Sequence, residues 1–464
     1  MEQAIDRPTA KLTEPGRETI PFREAVKVWT QVAVNSFGGP AGQIAVMQKL
    51  IVEDRRWVSE TRFLHALNYC MLLPGPEAMQ LATYLGWLMH GYKGGLVAGS
   101  LFVLPGFLSI LALSIVYVLF SGAGVVTGLF FGLKAAVLAV VLQAMIRLGR
   151  TVLGNPATIL LAVSAFLALF VFDLPFPLVI FVSGGIGMIG VRFRPGWFLA
   201  RQSGTDNGGA IDAILENSAL QHARPSLKRA LMVTAISFGF WFTPLALLWL
   251  TLGGDHVFTQ IGIFFSKVAI MTFGGAYAVL AYIAQEAVHS FGWLAPGQML
   301  DGLGMAETTP GPLVQVVQFV GFLGATKFAG DLPPLLSGVI GAVITTWVTF
   351  VPCFFWIFLG GPYVERIRNN KRLSGALTAI TASVVGVIAN LAVWFGIGVL
   401  FGEVGKLALP FGATLPHPTL ASLQPAALIF AVAAFVALQF FRVGMIKVLA
   451  ATAGTGIALH YLTI

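Results

Sequence analysis

The sequence predicts an all-α polytopic membrane protein built from two inverted-topology repeats, each interrupted by broken or re-entrant helices at Gly-Gly-Pro and Pro-Gly-Pro motifs. Three observations carry this prediction. Only 10% of the residues are charged and 57% are hydrophobic, whereas soluble domains carry about 25% charge; lipid must cover what polar side chains cannot. The same short motifs recur at one fixed spacing. Basic residues crowd one of two equivalent loops and are missing from the other, which orients the two halves oppositely.

Long apolar runs occupy about 94–119, 124–146, 156–172, 176–191, 228–250, 335–359, 375–400, 424–441 and 443–461. Most reach the roughly 20 residues needed to span a bilayer. Four further stretches, 22–47, 60–90, 258–284 and 298–327, are apolar but interrupted. If these re-enter, the chain has about nine full spans; if they cross, about thirteen. The resulting organisation is a cytoplasmic tail at 1–20, a first membrane repeat at 21–191, a cytoplasmic linker at 192–227, a linking helix at 228–250 and an inverted second repeat at 258–464. The tail is polar with charges of both signs and lacks the apolar core of a signal peptide.

The repeat is legible residue by residue. Ser36-Phe37-Gly38-Gly39 matches Thr272-Phe273-Gly274-Gly275 at an offset of 236. At the same offset Trp57 meets Trp293, Leu64 meets Leu300, and Pro74-Gly75-Pro76 meets Pro310-Gly311-Pro312. One deletion then aligns Gln80 with Gln315 and Gly86 with Gly321.

The first-half loop around Lys49, Arg55, Arg56 and Arg62 has a counterpart at 285–298 with neither Lys nor Arg. Positive-inside places the first loop in the cytoplasm and the second outside. The other basic clusters all fall inside when 22–90 and 258–327 each return to their starting side, and the unpaired helix at 228–250 supplies the flip. Inverted repeats of this kind serve alternating access in secondary transporters.

Gly-Gly-Pro and Pro-Gly-Pro cannot continue a helix, because proline lacks the N–H and glycine lacks the helical bias. Each break starts a half-helix whose first N–H groups and dipole favour an anion. Inverted symmetry would gather the four breaks near the midplane. The candidate anion-binding residues are Ser36, Gly38, Gly39, Asn68, Gly75 and Gln80 in the first half, and Thr272, Gly274, Gly275, Thr308, Thr309, Gly311 and Gln315 in the second. Asn35, Thr83 and Gln318 stand beside them. Neutral donors suit an oxyanion, which presents only acceptors; each side chain could equally serve a neighbouring helix's backbone.

Ionisable groups within apolar stretches are functional candidates by default. Lys134 and Lys267 could balance a dianion, although Lys134 could instead snorkel to an interface. Glu77 follows the first Pro-Gly-Pro and Glu307 precedes the second; both are candidates for carrying a coupled proton. For Glu77 the plainer role is a favourable charge in the first turn of its half-helix.

The net charge of +8 reflects the positive-inside clusters, not a nucleic-acid surface. Cys70 and Cys353 sit in separate apolar segments and read as packing residues. No phosphate loop, zinc-binding His-Glu pattern or Cys-x-x-Cys occurs, so neither a cofactor nor catalysis is expected. GLFFG at 128–132 fits the small-residue packing pattern and leaves a homodimer open, with close packing inside the chain as the simpler use. An anion channel of the same architecture is the rival reading.

SFGGP at 36–40, DRRW at 54–57, PGPEAMQLATYLGW at 74–87 and the second-half FGGAY and TTPGPLVQ runs together resemble the chromate ion transporter family, long two-half type. The resemblance covers about 20–460. It implies proton-motive-force-driven export of chromate across a bacterial inner membrane by a chromate-resistance antiporter, with sulfate as the similar tetrahedral dianion that could compete. The halves differ at Ala276, where Pro40 has its counterpart, and at Leu313, opposite Glu77. They are therefore expected to be unequal partners around one site.

Overall fold

The computed structural model describes residues 20–37, 39–120, 122–198, 226–273, 276–295, 297–363, 370–408 and 414–463. The tail, most of the 192–227 linker and the candidate glycines Gly38, Gly274 and Gly275 lie outside them. Apolar sequence folds into helices wherever it runs on, because backbone groups away from water must be satisfied within the segment.

The first repeat comprises α1 (Phe22–Val34), α2 (Gly39–Met47), α3 (Glu60–Leu72), α4 (Glu77–Phe120), α5 (Gly124–Val152), α6 (Pro156–Phe170) and α7 (Phe176–Phe193). A single turn, α8 (Pro195–Phe198), and the long α9 (Leu227–Leu252) connect it to the second. That repeat holds α10 (Val257–Met271), α11 (Ala276–Gln285), α12 (Gln298–Thr308), α13 (Val316–Phe328), α14 (Pro334–Gly360), α15 (Lys371–Leu400), α16 (Pro425–Gln439) and α17 (Met445–Thr463). A two-stranded hairpin, β1 (Val404–Ala408) with β2 (Thr414–Pro418), precedes α16 and was not expected from the sequence.

All nine uninterrupted apolar runs are helical. Seven helices among the described residues are long and apolar enough to cross a membrane, and four more are apolar but shorter. The chain is a multi-pass, all-α membrane protein. Helix starts follow local chemistry: Asn155 caps α6 in a capping box with Thr158, with Pro156 at the first helical position, and Asn370 caps α15 through the amides of Arg372 and Leu373.

α4 is two helices folded back on each other. Gly91 has φ +61° and His90 also leaves helical dihedrals. On a straight helix Gly86 and Gly94 would stand about 12 Å apart, yet a Cβ on Gly86 would lie 2.5 Å from the Gly94 carbonyl oxygen. The second half builds the same hairpin from α13 and α14, where Gly321 and Gly341 meet in the same way. The repeat thus extends past the sequence match: Gly94 and Pro105 correspond to Gly341 and Pro352.

The halves interlock reciprocally. α5 packs on α16 and α17, and its counterpart α15 packs on α6 and α7. A buried Ser383–Ser183 hydroxyl bond of 2.7 Å joins α15 to α7. The GLFFG glycines are used inside the chain, with a Cβ on Gly128 falling 2.8 Å from the Gly456 carbonyl of α17. Both repeats also carry a π-helical segment at the same place, Gln48–Asp54 and Glu286–Ser290.

Candidate functional site

The four breaks meet across the two halves. The Gly75 amide donates to the Thr272 carbonyl at 2.7 Å, and the Gly311 amide donates to the Ser36 carbonyl at 3.0 Å. Because 36 corresponds to 272 and 75 to 311, these are one contact made twice with the halves exchanged. Gly75 (φ +126°) and Gly311 (φ +100°) occupy backbone conformations that favour glycine. Ser36, Gly39, Gly75, Thr272 and Gly311 are enclosed by protein.

The same exchange continues outward. A Cβ on Gly311 would stand 3.0 Å from the Gly106 Cα of α4, and one on Gly75 would stand 2.9 Å from Cys353 Sγ of α14. Gly106 and Cys353 are equivalent positions after Pro105 and Pro352. Each half's long helix thus braces the other half's Pro-Gly-Pro break.

These bonds alter the roles read from sequence. The Gly75 and Gly311 amides are committed to carbonyls, and the prolines that follow them have no N–H to give. The Ser36 and Thr272 hydroxyls donate back to Val32 and Val268, at 2.5 and 2.7 Å. Thr308 and Thr309 likewise bond carbonyls of their own helix. The hydroxyls satisfy helix ends and keep only lone pairs for a ligand.

The glutamines are held by their amide nitrogens. Gln80 Nε2 donates to the Pro74 carbonyl at 2.7 Å, so its amide cannot flip without setting two acceptors together. Gln318 Nε2 donates to the Phe107 carbonyl at 3.0 Å, and its Oε1 accepts from Gln315 Nε2 at 2.5 Å. Gln80 Oε1 and Gln315 Oε1 are then buried without a partner among the described residues. Gln43, which sequence reasoning missed, ties the breaks further through Nε2 to the Gly311 carbonyl. Its second-half counterpart is Val279.

The two lysines do not reach the breaks. Lys134 pairs with Asp301 at 3.2 Å, and Tyr117 donates to the other Asp301 oxygen at 2.9 Å. Asp301 lies about 12 Å of helix away from Thr309, so this ion pair sits at the far end of α12. Asp301 is a buried charge in an apolar stretch, and the rule that singled out Lys134 would have found it. Lys267 is exposed on the face of α10 that carries Ile263 and Ile270.

Glu307 is buried, and its Oε1 accepts from the Tyr277 hydroxyl at 2.5 Å. Oε2 has no partner among the described residues. The same hydroxyl lies 3.8 Å from where a Cβ on Gly39 would stand, at the start of α2. Nothing in the sequence pairs residues 277 and 307; the fold does. At the 236 offset their counterparts are Ala41 and Met71, so the pair exists in one half only. Glu77 is partly buried in the first turn of α4, the place where a helix dipole favours it. The Asn68 side chain lies outside the described residues.

The family model for chromate transporters matches residues 23–188 and 259–457. The chain belongs to this family. The two matched regions coincide with the two repeats, α1–α7 and α10–α17. Among curated relatives, a chromate transport protein of Pseudomonas aeruginosa is 30% identical over 387 residues, covering 82% of this chain and 83% of that protein. A probable chromate transport protein of Synechococcus elongatus is 27% identical over 416 residues, covering 86% and 92%. No solved structure matches.

Proposed function

We propose that this protein is a secondary transporter that exports chromate across a bacterial inner membrane at the expense of the proton motive force. Membership of the chromate transporter family supports the substrate. The single observation that supports the mechanism is the reciprocal bond pair Gly75–Thr272 and Gly311–Ser36. It joins each half's Pro-Gly-Pro break to the other half's Phe-Gly-Gly break, where a tetrahedral dianion would meet first-turn amides and positive dipole ends. Sulfate, of like shape and charge, would compete.

In this reading the half-helices that begin at Gly39 and Ala276 and those that follow Gly75 and Gly311 hold the anion. Ser36, Thr272, Gln80, Gln315, Thr308 and Thr309 fix their geometry. Lys134 is held by Asp301, and Lys267 acts from outside the breaks, so neither is a direct ligand. Glu307 carries the coupled proton, and Glu77 contributes a terminal charge at α4. The repeats have inverted topology, with the N-terminus and the basic 49–62 loop cytoplasmic.

An interior-negative potential moves a dianion outward with about 4.6 kcal/mol per 100 mV, twice the value for one charge. The enclosure of the breaks supports a carrier over an open channel. Expressing the chain in chromate-sensitive bacteria tests the reading: cellular chromate should fall relative to a vector control and rise again when a protonophore collapses the gradient. Equal accumulation with and without the protein contradicts it.

A further inference from the structure

We propose that the Tyr277 hydroxyl couples proton and anion so that they bind together and travel in the same direction, an inference that rests on the anion-transport reading and specifies its coupling. A tyrosine hydroxyl has a single proton to donate, and here it goes to Glu307 Oε1 at 2.5 Å. The hydroxyl stands beside Gly39, where α2 begins and first-turn amides have no partner within the helix. Glu307 is 2% exposed, and its Oε2 lacks a partner among the described residues.

While Glu307 is ionised, it holds the phenol proton and its negative charge repels any anion at α2. When Glu307 takes up a proton, its own O–H donates to the phenol oxygen. The phenol O–H is then released to turn toward an oxyanion at Gly39. One proton enters, no covalent bond other than O–H changes, and the anion gains a donor as the repulsion disappears. Linkage makes the effect mutual: a bound anion raises the affinity for the proton by the same factor.

Of the elements packed on α11, α15 carries Lys371 and Arg372 at its N-terminal end, the π-helical segment Glu286–Ser290 carries Glu286 and His289, and α10 carries Lys267. α2 contributes no charged residue. Asp301, on α12 itself, is engaged by Lys134 of α5 and Tyr117 of α4. Glu77 lies at the start of α4, and Lys327 of α13 binds the Trp293 carbonyl at the helix's other end. α5 further carries Arg147 and Arg150 near its C-terminal end, and α17 carries Lys447 and His460 near its two ends. One proton with a dianion leaves one net negative charge, so the electrical component of the proton motive force drives the complex outward while the pH gradient opposes it.

The test uses the full-length protein in liposomes with a luminal pH dye, the potential clamped by potassium and its ionophore, and chromate added outside in mildly alkaline buffer. Chromate entry is read separately by absorbance. Entry accompanied by luminal acidification is expected, against protein-free vesicles as the blank. Glu307→Gln should still move chromate but without the pH change. Tyr277→Phe should raise the chromate KM about tenfold, as loss of a charge-assisted hydrogen bond does, and flatten its dependence on pH. Chromate entry with luminal alkalinisation, or with none in the wild-type protein, overturns the coupling. No chromate entry at all overturns the transport reading beneath it. The wild-type sign decides the matter even where a variant does not fold.

Discussion

The Gly75 amide donates to the Thr272 carbonyl at 2.7 Å, joining the Pro-Gly-Pro break of one half to the Phe-Gly-Gly break of the other. Its equivalent, Gly311 to Ser36, closes the exchange at 3.0 Å. Broken backbone deep in an apolar protein must find partners for its amides, and here each half supplies the other's. Two halves that satisfy one another in this way cannot separate at the breaks without leaving amides unpaired.

Gly75→Ala and Gly311→Ala should therefore both impair the protein, but unequally. An alanine in these left-handed conformations costs on the order of 1–3 kcal/mol in strain. At Gly75 the added carbon meets the ends of Gln80 and Cys353, which can shift; at Gly311 it meets the Gly106 backbone at 3.0 Å, which cannot easily move. Thermal unfolding in detergent should show the larger loss for Gly311→Ala. Equal, negligible losses would mean that the breaks are not held as described.

Gln80→Leu and Gln315→Leu should lower the maximal rate of transport about tenfold with little change in KM, through lost tethering bonds of about 1–1.5 kcal/mol each. Both side chains anchor the breaks by donating to fixed partners, and the amide oxygen that each leaves unpaired can only accept. A rise in KM at constant maximal rate would instead make them direct ligands.

Much of this was readable from the chain. The duplication, the breaks and every uninterrupted apolar helix follow from motif spacing and run length, because glycine and proline interrupt helices for purely local reasons. The partners at the breaks were not readable. Ser36 and Thr272 look like free donors in sequence, but a hydroxyl in a helix's last turn bonds the carbonyl four residues back before it meets a ligand. Lys134 looked like an unpaired cation because its partner, Asp301, is 167 positions away. Tyr277 stands in the FGGAY run, but nothing in that run says that its hydroxyl meets Glu307, 30 positions on.

The Lys134–Asp301 pair should prove structural. Asp301 is 4% exposed at its side chain and Lys134 31%, so removing one partner leaves a costly charge, by about 1–3 kcal/mol after allowance for the lysine's partial exposure. Asp301→Asn should lower the unfolding temperature. The double replacement Lys134→Met with Asp301→Leu should recover most of the loss and retain transport. Recovery of stability without transport would move the pair into the transport mechanism.

Opposite orientation of the halves can be read from two equivalent exposed positions, Asp54 and Ser290, which end the two π-helical segments. Cysteines placed there in a variant lacking Cys70 and Cys353 should react with a membrane-impermeant thiol reagent from opposite sides: Asp54→Cys only in inside-out vesicles, Ser290→Cys in intact spheroplasts. Labelling of both from one side would make the repeats parallel.

The most direct measurement is chromate flux through the purified protein in liposomes under an imposed membrane potential. The account predicts saturable chromate movement that sulfate inhibits and that Gly311→Ala reduces at least tenfold. Flux no greater than in protein-free vesicles, or a non-saturating current of channel size, would contradict it.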